Sequence, residues 1–475
     1  MSSCSYDFPP NEVFPTLRKL HKQYGPLLRM RFAGRDCLVI GNRKVAKDLL
    51  DKRGLIYSSR PRLVMGLELM NGGDHFFFLP YGPKWKRQNY ILTSFLNPRA
   101  VKHYRLLQEM ECLQTLQHLP TATDYQDCFI RFQSSLVHAL AYGSRIPDYN
   151  DPNLQEIHEI SRANIQTVTT HQWLIDSYPI LKHLPKCVSP WKRLGDRMHA
   201  QIIRVFGDRT AAAAKTKYWN WTKHTQSLKE AEGMSNHELI YLTGSIYQAG
   251  VEIISSYLRL LLMTCPLYPD AVRKAQAELD TVVGSERLPT FDDMTHLPYL
   301  DAFLKELIRW RPLAALGAPH SVTQDDSYEG YDIPKNTVLI PNQIAMEFDS
   351  EVWESPEEFQ PERWLQNPKA SHASFGFGRR RCTGETMALE SLFIMASRIL
   401  WTFNIDHAYN ENGERMEIDP WGFNESASVL LPKPFKVDIR FRDDHHRDVM
   451  NSAWERVEKN PEPYLRSIGE AFAQM

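Results

Sequence analysis

Two hydrophobic periods divide the chain. Leu27 to Gly41, LLRMRFAGRDCLVIG, holds two apolar-rich runs on either side of Gly34-Arg35, the pattern of a β-hairpin. Val45 to Gly54, VAKDLLDKRG, reads as a short helix ended by glycine. From Arg99 onward the spacing is mainly helical. The longest apolar run, Glu238 to Thr264, carries Gly244 and Ala249-Gly250 as interruptions. A helix apolar on most faces belongs inside a protein, and polar residues break this one too often for a membrane span. Ala271 to Gly284 reads as a polar surface helix, and Leu297 to Pro312 as a helix stopped by its proline. Between Pro312 and Arg363 the texture changes to short strands and turns, with Pro334 among alternating apolar positions in GYDIPKNTVLIPN. Gly384 to Phe403 is again a long helix, and Lys433 to Arg442 a closing strand.

These elements predict a mainly α protein with small β-sheets. No linker, repeat or low-complexity tract divides them. The expected organisation is one domain over residues 1–442, followed by a charged C-terminal extension, residues 443–475, expected to be poorly ordered. A chain of 475 residues can bury a core large enough to enclose a cofactor. The 56 basic and 57 acidic residues nearly cancel, which gives no reason to expect nucleic acid as a partner. Seven scattered cysteines without a Cys-x-x-Cys pair argue against a zinc ribbon or dithiol motif and suit a reducing compartment. The N-terminal segment MSSCSYDFPPNEVFPTLRKL lacks a signal-peptide core, so the chain as written reads as soluble.

The sharpest local feature is FGFGRRRCTGETMA, Phe375 to Ala388. A cysteine stands in a loop of glycine and arginine immediately before a long helix. The helix N-terminus and the arginines favour a thiolate, and a metal ion would deprotonate the thiol outright. Glycines let backbone approach a flat cofactor. The competing reading is a tight arginine-rich surface turn with an incidental cysteine.

Phe375, Gly378, Arg380, Cys382 and Gly384 match the pattern Phe-x-x-Gly-x-Arg-x-Cys-x-Gly, and here the chain resembles the cytochrome P450 family. KELIRWRP supplies a Glu-x-x-Arg pair, Glu306 and Arg309. FQPERW supplies Arg363, and QAGVEII aligns with the family's oxygen-binding helix. The resemblance runs from Lys19 to Arg442 and implies a single-domain haem-thiolate fold holding haem b, iron protoporphyrin IX. It makes Cys382 the iron ligand, with Phe375 packed beside the sulfur. It pairs Arg380, Trp85 and His320 with the haem propionates. It makes Glu306, Arg309 and Arg363 a buried triad that braces the segment leading to the cysteine. Family positions suggest Phe76, Phe78, Ala249, Ile253, Leu313 to Leu316 and Phe423 as apolar pocket lining, hence a hydrophobic small-molecule substrate. The wording of several motifs is similar to fungal secondary-metabolism members.

Two departures stand out. The family usually places arginine four residues after the tryptophan, where this chain has Asn89, with Arg87 on a different helix face. The oxygen-binding helix usually carries Ala-Gly-x-Asp/Glu-Thr, and here Ala249, Gly250, Val251 and Glu252 are followed by Ile253. The hydroxyl that helps deliver protons to oxygen is replaced by a hydrocarbon, which leaves Glu252, an ordered water or a polar group of the substrate to deliver them. Eukaryotic members usually begin with a membrane helix and a proline-rich hinge, and this sequence reads as starting after both. The resemblance further implies NADPH-cytochrome P450 reductase as electron donor, met by a basic face drawn from Lys84, Lys86, Arg87, Arg379 and Arg381. For a full-length form it implies attachment to the cytosolic face of the endoplasmic reticulum membrane. Oxidative coupling or dehydrogenation without oxygen insertion, and a non-catalytic haem-binding protein, are the alternatives to monooxygenation.

Overall fold

The computed structural model describes residues 13–32, 35–169, 173–424 and 429–475. The expected hairpin is present. β1 (Leu27–Phe32) and β2 (Arg35–Ile40) pair antiparallel, with Leu27 opposite Ile40 and Phe32 opposite Arg35. Its tip, Ala33-Gly34, lies outside the described residues. The stretch after Pro312 supplies β3 (His320–Ser321), β4 (Asp326–Tyr328), β5 (Tyr331–Ile333) and β6 (Val338–Pro341). β6 is buried along its length because it lies inside a four-stranded sheet of order β1-β2-β6-β3, parallel to β2. β4 and β5 form a separate ribbon. β7 (Phe403–His407) and β8 (Val437–Phe441) form a third, which contains the expected closing strand.

Helices make up the bulk. α1 (Pro83–Leu96) opens with proline in its first turn, where no N–H is required. α2 (Arg105–His118), α3 (Tyr125–Tyr142), α4 (Pro152–Thr169) and α5 (Pro190–Lys215) follow. α6 (Asn236–Leu267) crosses the core, and α7 (Pro269–Val282), α8 (Pro298–Trp310) and α9 (Glu385–Thr402) complete it. α7 buries Ala271, Val272, Ala275 and Leu279, the one apolar stripe of an otherwise polar helix.

α6 runs unbroken where its glycines suggested interruptions. Ser235 and Glu238 cap it reciprocally. Gly244 marks close packing instead: a Cβ there would lie 3.0 Å from the Phe206 ring of α5. Among the described residues α6 is the one helix long and apolar enough to cross a membrane, but 78% of its apolar window is buried inside the protein. That is the environment of a core helix. It packs most extensively on α3, and also on α5 and α9.

Two expectations need correction. Val45 to Gly54 is not one α-helix. A short α turn, Arg43–Ala46, passes into a π-helical turn, Lys47–Lys52, and Gly54 begins a further turn, Gly54–Tyr57. Gly54 instead lies against the Arg379 side chain, with 3.7 Å from its would-be Cβ to Cγ. The extension beyond residue 442 is ordered as α10 (Asp444–Arg456) and α11 (Glu462–Ala473). Leu465 and Ile468 of α11 are buried, Phe472 packs against the same cluster, and Met450 of α10 enters the main core. Spacings of three and four put the α11 apolar positions on one face, and the charges that suggested disorder lie around them.

Candidate active site

Cys382 closes the loop between Phe375 and α9. Its backbone N–H donates to the Phe375 carbonyl at 2.9 Å. Gly378 makes the loop possible: its φ is +56°, and a Cβ there would stand 2.1 Å from the Leu50 carbonyl oxygen. The Cys382 side chain is reachable by solvent yet surrounded by protein. Burial pushes its thiol up to about 11, against the pull of the Gly384 N–H. Of the expected arginine activation only the Arg381 charge pulls the thiol down, and burial outweighs it, because each arginine is engaged elsewhere. Arg381 pairs with Glu385 at 2.6 Å, Arg380 reaches away to backbone carbonyls, and Arg379 lies over the Tyr81 ring. The protein alone therefore keeps this sulfur protonated at neutral pH, and only a cation bound to the sulfur itself draws the proton off.

Beside the loop stand two guanidiniums that hydrogen-bond to backbone carbonyls. Arg380 donates to Ser58 O at 2.7 Å and Leu79 O at 2.6 Å, and lies 4.3 Å over the Trp85 ring. Arg60 donates to Phe77 O, Ala318 O and Pro319 O. Burial, and for Arg380 the neighbouring Arg60 charge, push Arg60 down to about 10 and Arg380 to about 8. Guanidiniums do not give up protons in proteins, so this pressure measures how strongly the place calls for an anion. Trp85 Nε1 is buried without a hydrogen-bond partner. His320 Nδ1 lies 2.7 Å from the Tyr57 carbonyl, which only accepts, and burial pushes the ring down to about 3. Its Nε2 therefore becomes a donor only on protonation, which an incoming carboxylate would favour. Two guanidiniums and an orphaned indole N–H beside an accessible thiol fit a flat, iron-bearing dicarboxylate. The Asn89 main-chain carbonyl accepts from the Thr93 hydroxyl at 2.8 Å, a contact within its own helix. Arg60 was not singled out from the sequence, because only the fold carries SSRPR alongside Arg380.

The brace behind the loop is fully assembled. Glu306 and Arg309 are completely buried and Arg363 nearly so. Arg309 grips Glu306 with both oxygens, at 2.8 and 2.9 Å. Arg363 Nε adds a bond at 3.1 Å, Trp364 Nε1 one at 2.9 Å and the Gln360 N–H one at 2.9 Å. Glu347, not expected from the sequence, continues the brace. Its carboxylate binds Arg43 and accepts from the Ala373 N–H at 2.6 Å, two residues before Phe375.

The family model for cytochrome P450 matches residues 5–439. The chain belongs to the cytochrome P450 family. Similar proteins include cytochrome P450 monooxygenase aneD of Aspergillus aculeatus, 39% identical, with 98% of this chain and 91% of that protein covered. Cytochrome P450 monooxygenase drtD of Aspergillus calidoustus is 40% identical, over 94% of this chain and 85% of that protein. A zebra fish cytochrome P450 solved with abiraterone superposes with a TM-score of 0.74 at 25% identity, over 92% of this chain and all of that one.

The fold and cofactor class of this P450 are thus those of a haem-iron protein. Ala249 is exposed on α6 and Ile253, one turn on, is half-buried, so this face borders open space. Phe76 stacks on Trp85 at 6.0 Å, and Phe78 packs on His75 at 4.7 Å. Phe375 and Leu316 are half-buried. Leu313 is completely buried in the main core and Phe423 nearly so, so both stand behind a pocket wall instead of forming it. The expected basic face is also smaller. Lys84 pairs with Asp74, Arg87 with Glu238 at 2.6 Å and Arg381 with Glu385, which leaves Lys86 and Arg379, both over the Tyr81 ring.

Proposed function

We propose that the chain is a haem-thiolate monooxygenase that holds haem b through Cys382 and oxidises a hydrophobic small molecule in secondary metabolism. The observation that carries the reading is the meeting of an accessible Cys382 thiol with Arg60, Arg380 and the unpaired Trp85 N–H. Its donor is NADPH-cytochrome P450 reductase, whose acidic surface would meet Lys86 and Arg379. For a full-length form its place is the cytosolic face of the endoplasmic reticulum membrane.

When bound, the haem iron supplies oxygen activation, which thiolate ligation favours. The chain's residues do the rest. Arg60, Arg380 and Trp85 would hold the two carboxylates, and the carbonyl-anchored guanidiniums are placed before any ligand arrives. The Gly384 N–H points at the sulfur and tempers its charge. Ala249 leaves room on α6, while Phe76 and Phe78 present aromatic surface that keeps water out and favours an apolar substrate. Ile253 can neither donate nor relay a proton, so Glu252 is the acid left on this face.

The test is NADPH-dependent oxygen uptake with the reductase, with and without candidate hydrophobic substrates. Uptake that rises with substrate and yields a product gaining one oxygen atom supports monooxygenation. Uptake giving only dehydrogenated or coupled product supports one-electron oxidation, and no uptake by haem-loaded protein overturns both. In the same assay Ile253→Thr lowers peroxide per NADPH for substrates without a polar group near the oxidised carbon. Equal leakage would leave pocket shape as the meaning of Ile253.

Arg60→Leu releases haem to apomyoglobin about tenfold faster or more, the scale expected when a buried charge loses its partner. An unchanged release rate would make Arg60 a loop anchor only.

A further inference from the structure

α4 meets α6 through a polar seam that the apolar pocket does not require. Asn164 of α4 donates to Gln248 Oε1 of α6 at 3.0 Å. One turn along α6, His158 Nδ1 of α4 lies 3.3 Å from Glu252 Oε1. His158 and Glu252 are both more than nine-tenths buried. Their contact lacks hydrogen-bond alignment, and Glu252 Oε1 has no other partner. A buried carboxylate oxygen facing a single imidazole is costly unless a proton joins the two.

We propose that His158 reprotonates Glu252, and that this pair carries protons to the cavity in place of the hydroxyl missing at position 253. The proposal rests on the haem-thiolate reading of the site. The route has an outer and an inner end. Arg162, four residues after His158 on α4, is exposed, so this side of the helix reaches solvent. Inward, Glu252 is three residues from the exposed Ala249 and adjoins Ile253, on the flank of the cavity face.

The surroundings disfavour the charged form of both groups. Burial raises the Glu252 carboxyl, opposed by Arg162 and Arg259. Burial pushes His158 down to about 4, helped by Arg162. Both shifts disfavour charge, so the pair rests as carboxyl and neutral ring. Arg259 is itself engaged with Gln126 and the Lys433 carbonyl, and the near neighbour from α3, Gln133, is neutral. In the step, a solvent proton adds to the far ring nitrogen of His158. The Nδ1–H bond then breaks as an O–H bond forms on Glu252 Oε1, and the imidazolium and carboxylate charges cancel. Glu252 rests as this carboxyl, and each proton it gives inward through water leaves the carboxylate that the step refills. No electrons move.

The test reads the Glu252 proton directly. An infrared band of a buried carboxyl, identified by its loss in Glu252→Gln, is followed after rapid mixing into deuterated buffer. His158→Phe and His158→Gln each slow its exchange at least about tenfold and raise peroxide per NADPH. The reduced carbon monoxide spectrum confirms folding, and the glutamine variant decides if the phenylalanine variant is unstable. Unchanged exchange in His158→Gln, or no Glu252 band between pH 5 and 8, overturns the proposal. Loss of the thiolate spectrum in the parent protein would overturn the haem-thiolate reading and leave the exchange result standing.

Discussion

Cys382→Ala protein gives no red-shifted Soret band when reduced under carbon monoxide, while Cys187→Ala protein keeps the band unchanged. The contrast follows from reach. Among the described cysteines, Cys37, Cys112 and Cys265 are buried and Cys128 half-buried, which leaves Cys187 and Cys382 as open sulfurs. Cys187 sits in a surface turn, Lys186–Val188, without the guanidiniums and indole that surround Cys382. A second signature separates ligation from mere proximity. The Cys382 thiol is pushed up to about 11, so it is protonated at pH 8 before haem binds. Ligation requires the thiolate, so loading releases one proton per haem there. The release fades as the pH approaches the thiol's own value, because the proton is then already gone. Pairing haem titration with proton release in lightly buffered solution measures it. A band that survives Cys382→Ala would remove Cys382 as the ligand.

What the sequence revealed was local. The cysteine loop, the Glu306–Arg309 spacing and the hairpin each lie within a few residues, where sequence order and spatial neighbourhood coincide. Arg60 was invisible because its meaning depends on Arg380, 320 positions away in a chain whose fold folds SSRPR onto the cysteine loop. Lys84 and Arg87 looked like free surface charge because Asp74 and Glu238 come from other segments. Leu313 matched a pocket position, but Tyr257 and Leu430 close over its backbone and carry it into the core. Gly244 looked like a helix break because the pattern cannot show the Phe206 ring it accommodates. The extension beyond residue 442 misled for a compositional reason: dense charge masked three apolar positions that coincide only on a helix. The pairing of His158 with Glu252 joins two helices and left no mark in either stretch of sequence.

Glu306→Ala protein unfolds at lower denaturant and retains little haem, with a loss of about 3–5 kcal/mol, the usual cost of breaking a buried ion network. The magnitude comes from what is stranded. One carboxylate satisfies both forks of Arg309, Nε of Arg363, the Trp364 indole and the Gln360 N–H. Alanine leaves two buried cations without an anion: they retain the carbonyls of Glu347, Pro356 and Glu358 for Arg309 and of Glu354 among others for Arg363, and the Phe348 and Trp353 rings. Carbonyl dipoles hold these side chains in place without cancelling their charge. The damage should reach the cysteine loop, because Arg309 also binds the Glu347 main chain, and the Glu347 carboxylate holds the Ala373 N–H ahead of Phe375. Glu306→Gln separates the two contributions. It keeps a shape able to accept from Trp364 or Gln360 but removes the charge, so it should lie between the parent and Glu306→Ala in stability. Denaturant midpoints of the haem-free proteins and haem content per chain measure the series. A Glu306→Ala protein with the parent's midpoint and full haem would show that the carbonyl cage alone carries both arginines and that the carboxylate contributes nothing to the brace.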